Sequence, residues 1–181
     1  GDLAIGEYGI ITSIAFTFVM IILGITQGMQ PIIGYNYGAK LQHRVLSTLK
    51  KGMIAGFVIT TIGFLVAELC PRLIASAFTN DEEMINLSIT GFRLFMLAFP
   101  IVGMQIVASN FFQAIGKAKI AIFLSLTRQL LFLIPALYLM PLILELNGVW
   151  LSTAVADFLS AFVSLWVLVV AIKKMKKEIS L

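Results

Sequence analysis

Four polar side chains interrupt the apolar stretch from residue 95 to residue 113. An α-helix advances about 100° per residue, so residues four and eight positions apart lie on one face. Gln105, Ser109 and Gln113 have this spacing, and Asn110 lies at the edge of the same face. Polar groups are costly in hydrocarbon and face a bundle interior or a wet cavity. The stripe therefore predicts one wall of a cavity that admits a polar guest.

Ionisable residues also occur where helices of this hydrophobicity would cross the middle of a bilayer. At 1.5 Å per residue, Arg128 lies about 16 Å beyond Lys117, and Asp157 lies about 15 Å beyond Asn147. An unpaired charge at that depth costs at least a few kcal/mol, so Asp157 is expected to pair with Arg128 or Arg93. Three interpretations stay open: a structural ion pair, a role in proton or cation coupling, and exposure to a wet cavity without function.

The composition is that of an integral membrane protein. Of its 181 residues, 60% are hydrophobic and 12% are charged, and the mean hydropathy is +1.01, whereas soluble domains carry about 25% charged residues. The basic residues cluster at segment ends, so the predicted partner is the lipid bilayer and no nucleic acid. A single His43 and a single Cys70 give no catalytic set and no metal cluster, so no catalytic residue, metal site or cofactor is predicted.

The hydropathy pattern predicts an all-α fold with about five transmembrane helices. Each is near the roughly 20 residues that a bilayer requires, and they cover residues 8–30, 52–70, 84–113, 119–141 and 149–172. The third would extend about 45 Å across a core of roughly 30 Å, so it should tilt, protrude or kink at Pro100. Pro31 should kink or end the first helix. Gly52, Gly56 and Gly63 follow one side of the second and are expected to serve packing.

Basic and acidic residues alternate between successive connections. The loop over residues 40–51 has four Lys or Arg, the turn at 117–119 has two Lys, and the tail at 173–178 has four Lys against one Glu, whereas the other connections are mainly acidic. The positive-inside rule places the basic loops and the C-terminus in the cytoplasm and the N-terminus outside. An outside N-terminus without a signal peptide requires an odd number of upstream spans, so the chain is expected to be a fragment.

Four motifs occur in order along the chain: QGMQPIIGYNYGAK, NFFQAIGKAK, SLTRQLLFLIPALYLMP and NGVWLSTAVADFLS. Together they resemble the multidrug and toxic compound extrusion (MATE) family, and most closely its bacterial drug/cation antiporters. The resemblance implies a twelve-helix transporter of two pseudosymmetric six-helix lobes. Residues 1–181 would be a partial C-terminal lobe, helices eight to twelve, whose partners are the missing N-terminal lobe and seventh helix of the same polypeptide.

The family resemblance also implies a function, which is secondary active export of cationic or aromatic small-molecule drugs from the inner (cytoplasmic) membrane. Alternating access of the two lobes would exchange the drug for Na⁺ or H⁺, and the coupling ion is left open. The cavity would lie between the lobes, with the stripe as one wall and two glutamines below it: Gln105, Ser109, Asn110 and Gln113, then Gln27 and Gln30. Residues 93–113 contain no Asp or Glu, so no cation ligand is assigned from the family's tenth helix.

Two other functions remain as alternatives. A lipid-linked oligosaccharide flippase of the same wider superfamily would need a cationic cavity, for which Arg93 and Arg128 are the candidates. The second alternative, for a piece of five helices, is a non-transporting assembly or scaffold subunit. A membrane-embedded enzyme would need clustered Asp, His or Glu for acid–base or metal chemistry, and the sequence predicts that the protein is not an enzyme.

Overall fold

The computed structural model describes the backbone of residues 2–179 and the side chains of residues 5–177, and every element in this range is helical. The helices are α1 (Asp2–Gly38), α2 (Gln42–Leu69), α3 (Pro71–Ser76), α4 (Glu82–Phe95), α5 (Phe99–Ala114), α6 (Ala118–Leu126), α7 (Ile134–Leu139) and α8 (Pro141–Ile179). A π-helical turn, Thr127–Leu133, joins α6 to α7. Four segments are long and apolar enough to cross a bilayer, and the bent pair α4–α5 makes a fifth. The all-α membrane fold with about five spans is confirmed.

The first two helices extend beyond their predicted ends. Helix α1 does not end at Pro31 but continues to Gly38, and α2 begins at Gln42 within the basic loop. Membrane helices tolerate an internal proline when neighbouring groups satisfy the freed backbone. Hydropathy identifies only the part of a helix that lipid surrounds. The hydropathy pattern therefore did not predict the polar last turns of α1 and the polar first turns of α2.

The third span is broken, which is one of the three outcomes that its length left open, and the break comes just before Pro100. Helices α4 and α5 meet at an angle of 52° across residues 96–98. Pro100 lies in the first turn of α5, where a missing backbone N–H leaves no helical acceptor unpaired. The fourth span changes register instead, because the N–H of Ile134 donates to the carbonyl of Gln129, five residues back. The following Pro135 has no N–H to donate, and a wider turn relieves the clash of its ring with the preceding carbonyl.

Helix α5 forms the centre of the bundle and packs against α1, α2 and α8. Its closest contact is with α2, where Gly56 and Gly103 face each other so tightly that a Cβ on Gly56 would lie 2.8 Å from the Gly103 carbonyl oxygen. Beside them the Thr60 hydroxyl lies 2.8 Å from the carbonyl oxygen of Gly56 and 3.0 Å from that of Pro100, and its single proton bonds one of them at a time. Gly52 and Gly63 are buried on the same side of α2. The prediction that the α2 glycines serve packing is confirmed.

Candidate functional site

A cavity of about 420 Å³ lies between α1, α4, α5, α6, the π-helical turn and α8, and we call it the central cavity. It combines polar and ionisable side chains with a wall of apolar and aromatic ones. The lining residues that the argument uses are Phe16, Phe95, Phe99, Gln105, Ser109, Asn110, Arg128 and Asp157. The α4–α5 bend matters for the cavity because it brings residues of both half-helices to one wall.

The predicted stripe on α5 lines the central cavity for most of its length. Gln105, Ser109 and Asn110 all face it. Gln105 is buried, and its Oε1 has no hydrogen-bond partner among the described residues. Asn110 uses its amide N–H to bond the Ile106 carbonyl at 2.9 Å, which leaves its Oδ1 free for other donors. Gln113, one turn further on, is exposed and does not line the cavity.

The two glutamines of α1 have different surroundings. Gln30 reaches across to α5, where its side-chain N–H lies 3.5 Å from Asn110 Oδ1 and 3.4 Å from Gln113 Oε1. Both contacts are long for hydrogen bonds, so they orient the side chains more than they hold the helices together. Gln27 is exposed and does not line the central cavity. Gln30 therefore lies at the lower end of the stripe, and Gln27 lies outside it.

Asp157 pairs with Arg128, one of the two partners that the sequence left open. The Arg128 Nε donates to Asp157 Oδ1 at 2.6 Å, and the side chains are 32% and 6% exposed respectively. The π-helical turn carries Arg128, and such turns are frequent at functional sites because they displace a side chain from the regular helical position. Ser160 donates to the backbone carbonyl of Asp157 at 3.2 Å. The ion pair thus forms a charged but internally neutralised corner of the cavity.

Arg93 lies outside the central cavity. Its Nε lies 3.6 Å from a carboxylate oxygen of Glu68 near the end of α2, and the two side chains are 56% and 28% exposed. The sequence offered Arg93 as an equal partner for Asp157 because both arginines precede or interrupt apolar segments. Arg93 lies on α4 and Arg128 on the π-helical turn, and no sequence pattern predicts which of the two side chains faces the cavity.

Sequence analysis missed the aromatic wall of the central cavity and a second buried carboxylate. Phe16 of α1, with Phe95 and Phe99 on either side of the bend, lines the wall. Helical spacing could have found part of it, because Thr12, Phe16 and Val19 are three to four residues apart and all line the cavity. The carboxylate is Glu7, which is 1% exposed. It resembled a loop acid, and no local pattern indicates its burial.

The central cavity can hold a guest with both a flat apolar surface and a positive or hydrogen-bonding group. Phenylalanine faces attract cations and stack on aromatic rings, and the Gln105 and Asn110 oxygens accept hydrogen bonds. Within residues 5–177 no three His, Cys, Asp or Glu side chains come together as a metal-binding group. An all-helical bundle of membrane-spanning length around such a cavity is the architecture of a multi-pass membrane protein.

Comparison with known proteins identifies the family. The MatE family model matches residues 1–139, so the chain belongs to the MatE family. Multidrug export protein MepA of Staphylococcus haemolyticus (strain JCSC1435) is 24% identical over 167 residues, which is 92% of this chain and 36% of MepA. The MATE multidrug transporter DinF-BH, solved in complex with R6G, is 36% identical with a TM-score of 0.82, over 89% of this chain and 36% of that protein.

A second solved structure, of MATE in complex with MaL6, shows the fold alone, with a TM-score of 0.90 at 20% identity over 98% of this chain. The predicted resemblance is confirmed, and so is the expectation of a transporter family rather than an enzyme, because the matched relatives are export proteins and transporters. The chain spans 36% to 40% of the length of these three proteins.

Proposed function

We propose that the chain forms most of the C-terminal lobe, helices eight to twelve, of a secondary active drug/cation antiporter. The antiporter exports cationic or aromatic drugs and works by alternating access between two lobes around a shared cavity. The observation that carries this proposal is the central cavity, in which the Arg128–Asp157 pair and the α5 amides face an aromatic wall. The names of MepA and DinF-BH as a multidrug export protein and a multidrug transporter support it.

The missing lobe follows from the same proposal. The chain spans about a third of the length of MepA, which leaves room for a second lobe and one further helix. The charge alternation supports an outside N-terminus, a cytoplasmic C-terminus and an inner-membrane location. The spans then run alternately inward and outward, so the starts of α1, α4 and α8 share the outer end.

The ion pair gives the proposal a coupling step. A cationic guest in the central cavity competes with Arg128 for the Asp157 carboxylate, because both are positive and only one can be its closest partner. The coupling cation would bind the same carboxylate and displace the guest, and its release would return Asp157 to Arg128. Asp157 would thereby exchange one positive partner for another while its own charge stays compensated. Na⁺ and H⁺ both fit this scheme.

An Asp157→Asn variant tests the coupling. We expect the initial drug-efflux rate to fall on the order of ten- to a hundredfold, because a hydrogen bond to a charged group contributes about 1.5–3 kcal/mol and about 1.4 kcal/mol is a factor of ten. The measurement is efflux of a fluorescent cationic dye from cells that express the complete coding sequence, with expression checked in the membrane fraction. Glu82→Gln is the control, since Glu82 pairs with Arg72 at an exposed position. A variant with normal rate and normal ion dependence would remove the coupling role.

The flippase alternative receives little support from the arginines that motivated it. Asp157 neutralises Arg128 at 2.6 Å, and Arg93 pairs with Glu68 outside the central cavity. A pyrophosphate-bearing substrate would need uncompensated positive charge to replace its lost hydration. A cell-wall precursor defect on deletion of the gene, with unchanged drug sensitivity, would favour the flippase over the exporter.

A further inference from the structure

Glu7 is a buried carboxylate that the proposed transport cavity does not use. It lies near the start of α1, its residue is 1% exposed, and neither of its carboxylate oxygens has a hydrogen-bond partner among the described residues. Buried polar side-chain atoms are satisfied in the large majority of cases, and each exception calls for a physical reason. Asp157, by contrast, has Arg128 within hydrogen-bond distance. Glu7 is therefore the carboxylate whose charge the described residues leave uncompensated.

The surrounding helices are shaped to admit the Glu7 side chain. Gly91 of α4 lies against it, and a Cβ at that position would collide with Glu7 Oε1 and with the end of Ile11. Trp150 of α8 also lies beside Gly91, with its ring 3.3 Å from the position of such a Cβ, and it stacks on Tyr8 with ring centroids 5.7 Å apart. Trp150 and Ile11 are themselves buried. Three helices thus enclose one carboxylate, and a glycine provides the space that the carboxylate occupies.

Glu7 also lines a second cavity of about 420 Å³, which we call the Glu7 cavity. Its wall shares no residue with the central cavity, and none of the described residues that form it is basic. The other lining residues are mainly oxygen-bearing and come from α4 and α8: Glu83, Asn86, Leu87, Thr90, Leu146, Asn147 and Trp150. Glu83 is exposed, so its carboxylate gives the mouth of the cavity a negative charge that attracts cations.

Neither protonation state of Glu7 is satisfied by the described residues alone. An ionised carboxylate without a partner bears the full cost of losing its hydration. A neutral carboxylic acid still needs an acceptor for its hydroxyl, and no described group accepts from either oxygen. A cation ligated by Glu7 resolves both problems, because it compensates the charge and occupies the unused lone pairs.

We propose that the Glu7 cavity binds a sodium ion, with the Glu7 carboxylate as the anchoring ligand. Hard cations take carboxylate, amide and hydroxyl oxygens, and Asn86, Thr90 and Asn147 supply the last two types at the same cavity. One buried carboxylate matches one positive charge, which favours a monovalent ion over a divalent one.

A backbone feature beside the Glu7 cavity supports the sodium site. Helix α8 is interrupted at Glu145, whose φ of 51° and ψ of −128° are not helical, two residues before Asn147. Unwound backbone in membrane transporters frees carbonyl oxygens, and such oxygens coordinate Na⁺. The proposal of a sodium site depends only on the fold. A role for that ion in driving export would rest on the function proposed above.

Sodium binding to the complete purified transporter tests the site directly. Radioactive ²²Na⁺ binding is measured for the wild type, Glu7→Gln and Glu82→Gln, with choline replacing sodium at constant ionic strength. We expect saturable binding in the wild type, loss of at least one site per molecule in Glu7→Gln, and no change in Glu82→Gln. Equal binding in the wild type and Glu7→Gln would overturn the proposal, and so would a complete absence of sodium binding in the wild type.

Thermal unfolding gives a second measurement that also checks folding of the variant. A ligand that binds only the folded state raises the Tm, so sodium should raise the Tm of the wild type and leave that of Glu7→Gln unchanged. Without sodium, Glu7→Gln should unfold at the same temperature as the wild type or higher, since the uncompensated carboxylate is gone. Thr90→Val, which removes one hydroxyl ligand and keeps the shape, should weaken the sodium affinity several-fold.

Two further outcomes would overturn the sodium site. The first is a Tm that responds to pH but not to sodium, and the second is a rise that choline reproduces. Drug export is measured separately, so the two proposals can fail independently. If the transporter exports drugs and Glu7→Gln binds sodium as the wild type does, only the sodium site is refuted. If sodium binds through Glu7 and no drug is exported, only the proposed function is refuted.

Discussion

Asp157 and Glu7 are both buried carboxylates on membrane-length helices, and their surroundings differ in one respect. Asp157 has an arginine at 2.6 Å, held by a π-helical turn, whereas Glu7 has a glycine, a tryptophan and a cavity. Both lie beside the broken span α4–α5: Glu7 lies against Gly91 of α4, and Asp157 lines a cavity that residues of both half-helices also line. The comparison separates two uses of a buried charge: one is compensated within the protein, and the other is left for a ligand.

This difference has a consequence for how each site can change state. The Arg128–Asp157 pair can open only if something else compensates Asp157, because separating two buried charges without replacement is costly. Glu7 has no partner to lose among the described residues, so occupancy of the proposed sodium site would depend on the cation concentration outside the protein. The first arrangement suits competition between positive guests, and the second suits sensing or admitting a cation.

The largest expected effect comes from removing the arginine. Arg128→Gln leaves Asp157 buried without its partner, and such a loss destabilises proteins by up to about 3–5 kcal/mol. The 32% exposure of Arg128 within a cavity places the effect toward the lower figure. Thermal unfolding of the complete transporter in detergent measures it. Arg128→Gln combined with Asp157→Asn should recover most of the lost Tm, and a single variant as stable as the wild type would show that Asp157 does not depend on Arg128.

Two glycine substitutions test how tightly each region is built. Gly103→Ala would drive its Cβ into the backbone of Gly56, which cannot move without separating α5 from α2. Overpacking of this kind typically costs about 1–3 kcal/mol. Gly91→Ala meets the ends of the Glu7 and Ile11 side chains instead, and side-chain ends can turn away. We therefore expect the larger loss of Tm for Gly103→Ala, and loss of sodium binding with a smaller loss of Tm for Gly91→Ala.

The reverse ranking of the two glycine variants would be informative. A Gly91→Ala protein that unfolds at a lower temperature than Gly103→Ala would mean that the Glu7 region, and not the α2–α5 contact, is the tighter one. Unchanged sodium binding in Gly91→Ala would mean that the Glu7 carboxylate does not need its present position.

The sequence could predict those features that depend on periodicity within one helix. The five spans and the α5 stripe follow from hydropathy and a 100° step, and the structure places Gln105, Ser109 and Asn110 on one cavity wall. The bend is one of three outcomes that the length of the third span left open. The sequence could not decide between Arg128 and Arg93, because that choice depends on a register change before Pro135 and a bend after Phe95. The register change and the bend are local breaks in the backbone, but the side chains that they bring together are decided by the packing of the helices.

Glu7 shows the limit of this reading most clearly. Its neighbours along the chain resemble a polar helix start, and its burial depends on Gly91 and Trp150, which are distant in sequence. Gln27 and Gln30 show a smaller version of the same limit. The two glutamines are three residues apart on α1. Only Gln30 lies close enough to α5 to contact Asn110 and Gln113.

The smallest expected effect comes from the arginine that faces away from the cavity. Arg93 pairs with Glu68 at 3.6 Å, and its side chain is 56% exposed, so the pair resembles an exposed ion pair, which contributes about 0–1 kcal/mol. Arg93→Gln should therefore lower the Tm of the complete transporter slightly and leave drug efflux unchanged, because Arg93 does not line the central cavity. Suppose instead that Arg93→Gln lowers the Tm as much as Arg128→Gln does. The burial of the carboxylate partner would then not explain how much each arginine contributes to stability. The contrast between compensated and uncompensated charge would then need a different physical basis.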